Sequence, residues 1–250
     1  MLLCMSSVES GKDVVLKTTS DGSLTLYVPG LDEHYHSKNG AVQESRHVYL
    51  EAGLNQYIHT RYSQYKEAQP EIHVLEFGFG TGLNTLLTAL EAEKQRIRIR
   101  YSALEKYPLS QEITDQLNYS KADRSLFRLI HQCEWERPVM LSSYFILRKM
   151  AIDFAAFDFP DRYDVVYFDA FAPDKQPDVW SPELFTKLFS SMNMGGILTT
   201  YCAKGSIRRM MQHAGFSVER IPGAPGKREM LRAHVLSDTD SDKAEQEYQQ

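Results

Sequence analysis

Residues 74–84 of this 250-residue chain read Val-Leu-Glu-Phe-Gly-Phe-Gly-Thr-Gly-Leu-Asn, an apolar strand that runs through a glycine turn into the start of a helix. Glycines in such a turn let the backbone approach a ligand that a Cβ atom would exclude. The following helix offers free amide donors and the positive end of its dipole. The sequence therefore predicts a ligand site at this turn, in preference to a tight turn that binds nothing.

The spacing of the glycines indicates which ligand to expect. The turn reads GxGxG and Leu83 follows its last glycine, whereas a dinucleotide fingerprint needs GxGxxG. Glu76, two residues before the first glycine, would attract a ligand ammonium group and repel a pyrophosphate. These features favour S-adenosylmethionine over NAD as the cofactor. The expected contacts here are Glu76, Gly78, Phe79, Gly80, Thr81, Gly82 and Asn84.

Strand and helix patterns alternate on the carboxyl side of residue 71. The predicted strands are 72–77, 97–104, 144–152, 163–168, 196–201, 217–221 and 229–236, and the predicted helices are 83–94, 108–129, 182–192 and 207–214. Repeated strand-helix-strand units predict an α/β, Rossmann-like fold, with a mainly parallel sheet and helices on both faces. The ligand crevice of such a sheet lies at the carboxyl ends of its strands.

The amino-terminal part has a different pattern. Residues 13–27 hold two β-prone runs around an Asp-Gly turn, which predicts a hairpin. Residues 32–40 are polar and predict a loop, and residues 41–67 predict one or two helices. We therefore expect three units. They are a hairpin and helical extension (1–68), a sheet domain (69–236) and a disordered acidic tail (237–250).

Acidic residues follow two further predicted strands. Glu105 lies 25 positions after Gly80, where a carboxylate can accept both ribose hydroxyls of a nucleoside; the alternative is an exposed loop carboxylate. Asp153 could accept from an adenine amino group or could cap a helix. We place both acids, with Lys106, in the predicted cofactor site.

The fourth strand of the alternating region ends in Asp-Ala-Phe-Ala-Pro-Asp-Lys-Gln-Pro-Asp-Val-Trp, residues 169–180. A carboxylate and an aromatic ring directly after a buried strand predict that Asp169 and Phe171 lie beside the reacting methyl group. Asp169 also belongs to the predicted cofactor contacts. Phe171 would provide a stacking platform for a flat substrate, although an isolated phenylalanine is more often a core residue.

The charge is unevenly distributed. The net charge of −5 argues mildly against nucleic-acid binding, yet residues 204–232 hold seven basic and two acidic residues. This segment predicts either a surface for RNA phosphates or a solvated helix face. The predicted RNA contacts are Lys175, Lys204, Arg208, Arg209, Lys227 and Arg228.

Several classes of protein are disfavoured. Cys4, Cys133 and Cys202 are far apart and have no histidine at ligand spacing, so we expect neither disulfides nor a metal site. We expect Cys202 to be a buried thiol on a strand. The apolar run at residues 1–5 is much shorter than the roughly 20 residues of a membrane span. We expect a cytoplasmic protein without a membrane anchor.

Three motifs together closely resemble the MnmD methyltransferases and the equivalent amino-terminal half of MnmC. They are EFGFGTGLN (76–84), DAFAPDKQPDVW (169–180) and GAPGKREMLR (223–232). Tyr-His-Ser at 35–37 and GAVQE at 40–44 are similar to that family too. The resemblance extends from the first hairpin to Arg232.

This resemblance implies methylation of the 5-aminomethyl group of wobble 2-thiouridine in certain tRNAs, giving 5-methylaminomethyl-2-thiouridine. Glu76 and the glycines would hold S-adenosylmethionine, Glu105 its ribose and Asp153 its adenine, while Asp169 and Phe171 would meet the target base. A flavin-dependent oxidase domain follows in MnmC. We expect that activity to be absent here or supplied by a separate enzyme that provides the aminomethyl-uridine. The expected partner is the tRNA anticodon stem-loop.

Three alternatives stay open on the sequence. An aminopropyltransferase of the spermidine-synthase type shares the fold and the strand-end acid, although the basic segment disfavours a polyamine substrate. A non-catalytic RNA- or protein-binding subunit would keep the fold without binding the cofactor. An NAD-dependent oxidoreductase is disfavoured by the glycine spacing.

Overall fold

The computed structural model describes residues 14–62, 70–119 and 123–236. The predicted hairpin is confirmed, because β1 (Val15–Thr18) and β2 (Leu24–Val28) pair antiparallel. The carboxylate of Asp21 accepts from the Ser23 amide at 3.0 Å and fixes the turn. The predicted loop 32–40 is interrupted by β3 (Glu33–His34), a two-residue strand that pairs with β2.

The predicted helical region after the loop forms one continuous helix. It comprises α1 (Ala41–Ser45), a π-helix (Arg46–Asn55) and α2 (Gln56–Thr60). Its buried side chains join the same hydrophobic cluster as those of the main sheet. The helix therefore packs directly on the sheet, and the division of the chain at residue 68 stays a prediction.

The main sheet has eight strands. They are β4 (Ile72–Phe77), β5 (Ile99–Glu105), β6 (Pro138–Ser142), β7 (Phe145–Ala151), β8 (Tyr163–Phe168), β9 (Met192–Thr200), β10 (Ser217–Pro222) and β11 (Glu229–His234). The helices are α3 (Leu83–Gln95), α4 (Gln111–Thr114), α5 (Arg124–Gln132), α6 (Pro182–Ser191) and α7 (Gly205–His213). Short 3-10 helices cover Phe154–Ala156 and Pro177–Val179.

The strand order is β10-β11-β9-β8-β4-β5-β7-β6. The five central strands, from β9 to β7, run parallel, and β6, β10 and β11 pair antiparallel. The chain places β5 on one side of β4 and β8 on the other, so the strand order reverses at β4. The carboxyl edge beside β4 is therefore where a ligand crevice is expected.

Both faces of the sheet are covered by apolar side chains. Along β4, Val74 belongs to one buried cluster and Leu75 to the other, and Val165 and Val166 divide in the same way on β8. Because successive strand residues point to opposite faces, this alternation requires a layer on each side. The predicted Rossmann-like fold with helices on both faces is confirmed.

Some local predictions were wrong. The segment 108–129 was expected to be helical throughout, but among its described residues only Gln111–Thr114 and those from Arg124 onward are helical. Strand β6 was not predicted, because it lies at the sheet edge with mostly exposed or half-buried residues and lacks a clear apolar alternation. Cys202 is buried as expected, but it lies two residues beyond the end of β9. The predicted acidic tail, 237–250, lies outside the described residues.

Candidate active site

The carboxyl ends of four parallel strands meet at one cavity of about 380 Å³. Gly78 follows β4, Glu105 ends β5, Asp153 follows β7 and Asp169 follows β8, and all four line this cavity. Its volume lies in the range of roughly 300–1,000 Å³ that is typical of small-molecule sites. The structure thus brings together the strand-end residues that the sequence singled out.

The glycine turn adopts backbone conformations that L side chains rarely tolerate. Gly78, Gly80 and Gly82 have φ angles of +92°, +49° and +73°. The amide of Gly78 donates to the carbonyl of Leu104 at 3.0 Å, which ties the turn to β5. Gly82 does not line the cavity, because it caps the amino terminus of α3 and faces His131.

Glu105 joins the end of β5 to the glycine turn. Its two carboxylate oxygens accept from the Gly80 amide and from the Tyr107 amide, each at 2.9 Å. Burial raises the pKa of this carboxyl above its usual value. The alternative of an exposed loop carboxylate therefore does not fit, and the ribose contact stays a prediction.

Asp153 serves as a cap and also lines the cavity. Its Oδ1 accepts from the Ala155 amide at 3.0 Å and caps the 3-10 helix, while its Oδ2 lies 2.7 Å from Nζ of Lys106. The hydrogen bond from Lys106 lowers the pKa of Asp153. Both residues line the cavity, and their contact with an adenine moiety stays a prediction.

Asp169 is held by two neutral donors. The Tyr49 hydroxyl donates to Oδ1 at 2.5 Å, and the Asn84 amide nitrogen donates to Oδ2 at 2.8 Å. Burial raises the pKa of Asp169 to about 7, although both hydrogen bonds act in the opposite direction. Among the described residues, no cation forms an ion pair with this carboxylate. Asp169 therefore retains the capacity to bind a positively charged group in the cavity.

Glu76 lies beneath the cavity and does not line it. The side chain is fully buried and accepts from Asn84 Nδ2 and from the Thr85 hydroxyl, each at 3.0 Å. Burial raises the pKa of Glu76 to about 8. The expected direct contact with a ligand ammonium group is not supported, because α3 covers this carboxylate. Asn84 links Glu76 to the cavity, because its Nδ2 also donates to Asp169.

Asn84 presents an unused acceptor at the cavity. The residue is 3% exposed and lines the cavity, and its Oδ1 is buried without a hydrogen-bond partner among the described residues. A buried acceptor without a donor is unfavourable by roughly 1–3 kcal/mol. This oxygen therefore calls for an N–H or O–H donor from a bound molecule.

The segment that follows β3 covers the glycine turn. The Tyr35 ring lies 3.0 Å from the position of a Cβ atom on Gly80 and contacts the Phe171 ring edge-on, with centroids 5.2 Å apart. Nε2 of His36 lies 2.7 Å from the Thr81 hydroxyl, and burial lowers the pKa of His36 to about 4. A neutral histidine thus fastens the amino-terminal loop to the turn.

The predicted RNA contacts divide into two groups. Lys175 and Lys227 line the cavity, where Nζ of Lys227 lies 2.7 Å from Glu44 and 4.0 Å from the centre of the Tyr201 ring. The other four residues do not line the cavity; they are Lys204, Arg208, Arg209 and Arg228. Among them, Lys204 forms an ion pair with Asp174.

Sequence reasoning missed several residues of the site. Tyr35, His36 and Glu44 lie in the two short motifs that resemble the MnmD family, so those motifs were an available indication. Tyr49 and Tyr201 lie in ordinary helical and strand patterns, and only tertiary packing brings them to Asp169 and the cavity.

The described part of the chain contains no cluster of three or more His, Cys, Asp or Glu side chains that could hold a metal ion. Within the same residues, no helix is both long and apolar enough to cross a membrane. Cys133 and Cys202 are free and buried.

Comparisons with known proteins identify related sequences. A family model described as S-adenosyl-L-methionine-dependent methyltransferase matches residues 145–235. Two curated proteins similar to this chain carry the name tRNA 5-methylaminomethyl-2-thiouridine biosynthesis bifunctional protein MnmC. The one from Idiomarina loihiensis is 31% identical over 223 residues, which cover 82% of this chain and 36% of that protein. The one from Paraburkholderia phymatum is 30% identical over 222 residues, covering 83% and 33%. The chain thus spans about a third of these relatives.

Solved structures share the fold. MnmC2 from Aquifex aeolicus superposes with a TM-score of 0.67 at 22% identity, covering 92% of this chain and 75% of that chain. Spermidine synthase from Thermotoga maritima superposes with a TM-score of 0.57 at 10% identity, covering 90% and 69%. At such identities these structures support the architecture and not a particular reaction.

Proposed function

This chain is a relative of the MnmC proteins over about a third of their length, and on that premise we propose that it is an S-adenosylmethionine-dependent tRNA methyltransferase. The proposed reaction methylates the 5-aminomethyl group of wobble 2-thiouridine and gives 5-methylaminomethyl-2-thiouridine. The observation that carries the proposal is that Asp169, free of any cationic partner among the described residues, lines the same cavity as Gly78 and Glu105.

The polar groups of the cavity match those of S-adenosylmethionine. The unpartnered Oδ1 of Asn84 offers an acceptor for an ammonium group, and the Glu105 carboxylate offers an acceptor for ribose hydroxyls. Gly78 and Gly80 would hold the cofactor by close backbone approach, and Lys106 and Asp153 would adjoin its adenine. When bound, the cofactor supplies a methyl group that is already activated for transfer.

The protein's task is then to align the substrate amine with that methyl group. Alignment of two bound partners can lower a barrier by roughly 7–11 kcal/mol. An alkyl amine with a pKa near ~10.4 is mostly protonated at neutral pH and must lose a proton before it attacks. The Asp169 carboxylate, whose pKa burial raises to about 7, would orient the neutral amine as a hydrogen-bond acceptor and take a proton from the nitrogen once the methyl group has been transferred.

The tRNA would reach the site at the mouth of the cavity. Phe171 and Tyr35 line the cavity with their rings edge-on to each other, and an unstacked base of an anticodon loop would stack on them. Lys175 and Lys227 line the same cavity and would meet phosphates or polar base edges. We propose the anticodon stem-loop as the partner, the cytoplasm as the location, and a separate activity as the source of the aminomethyl-uridine.

The decisive experiment is incubation with methyl-labelled S-adenosylmethionine and tRNA from cells that lack this modification, followed by nucleoside analysis. Label in 5-methylaminomethyl-2-thiouridine is the expected result. Label in another nucleoside or in protein would redirect the assignment. Two parallel assays test the alternatives. Transfer to putrescine from decarboxylated S-adenosylmethionine would indicate an aminopropyltransferase, and absence of S-adenosylmethionine binding in calorimetry would indicate a non-catalytic subunit.

A further inference from the structure

Tyr49 connects the amino-terminal helix to the predicted catalytic carboxylate. It lies in the π-helix, is 2% exposed, and packs against the Tyr167 ring with centroids 5.3 Å apart. Its hydroxyl donates to Oδ1 of Asp169 across 120 residues of sequence. A π-helical segment occurs often at functional sites, because its wider turn redirects side chains that an α-helix would place elsewhere.

The second oxygen of Asp169 has its own donor. Asn84, on α3, donates to Oδ2, so the carboxylate is held by side chains from two different helices. Among the residues that the structure describes, each oxygen has one donor and keeps a second acceptor position, and the two bonds fix the plane of the carboxylate. An amine entering the cavity would therefore meet an acceptor whose direction is already set.

We propose that Tyr49 is a positioning residue, whose hydroxyl orients the Asp169 carboxylate toward the substrate amine. This inference rests on the methyl-transfer function proposed above and adds to it a residue outside the strand-end motifs. Burial, followed by the nearby Asp169 charge, raises the pKa of Tyr49 well above 10. The hydroxyl consequently stays protonated and acts only as a donor throughout the physiological pH range.

A second tyrosine on the same continuous helix provides a comparison. Tyr57, on α2, donates to Oδ1 of Asp164 at 3.0 Å. Asp164 also accepts from the His73 amide and from Asn193 Nδ2, each at 2.8 Å, at the opposite end of β8 from the cavity. Tyr57 therefore makes the same kind of hydrogen bond, but to an aspartate with a structural role away from the cavity.

The groups around Asp169 determine in which direction its pKa should move when the Tyr49 hydroxyl is removed. The groups that face it are Tyr49 from the π-helix, Asn84 from α3, Glu44 from α1, Glu76 from β4, Lys227 from the β10–β11 turn and Tyr201 after β9. Glu44 raises the pKa of Asp169, while Lys227 lowers it. Loss of the Tyr49 donor would destabilise the ionised form and raise the pKa further.

The test is the pH dependence of kcat/KM for tRNA in the Tyr49→Phe variant at saturating S-adenosylmethionine. We expect the acidic limb to move up by about one pH unit relative to the wild type, with S-adenosylmethionine affinity retained. Tyr57→Phe is the matched control and should keep the wild-type limb. The substrate amine has the same pKa with every variant. A difference between the pH profiles of kcat/KM therefore reflects a group of the enzyme.

Replacement of Tyr49 by 3-fluorotyrosine provides a second, opposite test that keeps the side-chain shape. A more acidic hydroxyl donates more strongly, so the acidic limb should move to lower pH. An unchanged limb in either folded variant would overturn the role of Tyr49. If the wild-type protein itself transfers no methyl group to the undermodified tRNA, the proposed function fails, and the role of Tyr49 fails with it.

Discussion

A Cβ atom on Gly78 would lie 2.7 Å from the carbonyl oxygen of Asp169, so the glycine turn and the tip of β8 are in backbone contact. The Asp169 amide in turn donates to the carbonyl of Phe77 at 3.0 Å. The cofactor-binding turn and the predicted catalytic acid are therefore parts of one rigid junction between β4 and β8. A displacement of either backbone would move the other.

We expect Gly78→Ala to abolish measurable S-adenosylmethionine binding and to lower the melting temperature. The methyl group would collide with Asp169, and the φ of +92° would add strain of roughly 1–2 kcal/mol. Calorimetry with the cofactor and thermal unfolding check this. Gly22→Ala is the matched control, because Gly22 has a φ of +79° but nothing within 4 Å of its Cβ position. Gly22→Ala should show the effect of backbone strain alone and should still bind S-adenosylmethionine. Equal S-adenosylmethionine binding by the two variants would contradict the prediction.

We expect Asp169→Asn to lose turnover by about 10²–10⁴-fold, the usual contribution of a proton-accepting side chain. The amide keeps the shape of the carboxylate but can neither attract an ammonium group nor accept its proton. S-adenosylmethionine affinity should stay within a few fold, because other residues hold the cofactor in the proposed site. Single-turnover methyl transfer and calorimetry separate the two quantities. Asp161→Asn, an exposed acid before β8, should behave as the wild type. Near-normal turnover of Asp169→Asn would remove Asp169 from the mechanism.

The sequence was sufficient for β4, β8 and the acids at the strand ends, whereas β9 begins at Met192, four residues before its predicted start. The bounds predicted for β4 and β8 agree with the structure, because strands buried on both faces carry continuous apolar runs between turn residues. Parallel strands also deliver their terminal residues to one edge, which is why Glu105, Asp153 and Asp169 could be assigned to a common cavity.

The contacts that cross the fold could not be predicted from local patterns. Tyr49 reaches Asp169 because the amino-terminal helix packs on the sheet, and apolar spacing does not distinguish a π-helix from an α-helix. The direction of Glu76 depends on which face of β4 is covered by α3, where Asn84 and Thr85 meet it. A residue's position in a motif thus indicated that the residue lies near the site, but it did not indicate which groups its side chain contacts.

The burial of Glu76 predicts an unusual pH dependence of stability. Burial raises its pKa from 4.5 to about 8, so the folded protein binds this proton more tightly than the unfolded chain does. The stabilisation is complete below about pH 4.5 and is lost as the pH rises through about 8. We therefore expect the melting temperature to fall between pH 7 and pH 9, a window above the ordinary histidine range of about 6.5.

The Glu76→Gln variant isolates this contribution. Glutamine keeps the shape of the side chain: its oxygen can accept from Asn84, and its amide nitrogen can donate to the Thr85 hydroxyl. It does not titrate, so the melting temperature of the variant should change less between pH 7 and pH 9. Asp169, with a pKa of about 7, contributes a smaller decline that both proteins share. Parallel slopes for the wild type and the variant would show that Glu76 does not hold its proton in the folded state.

The exposed arginines of the basic segment should set the salt dependence of tRNA binding. Arg228 lies 3.9 Å from a Glu229 oxygen, but 93% of its side chain is exposed, and Arg209 is also exposed, so phosphates can reach both. Removal of one phosphate-binding side chain should reduce the slope of log K against log salt by about 1, so Arg209→Gln with Arg228→Gln should reduce it by about 2. Turnover at saturating tRNA should change little, because neither arginine lines the cavity.

Arg137→Gln, near the β6 edge at the other end of the sheet, is the matched control. A slope that stays at the wild-type value in the double variant would show that this segment is only a solvated face.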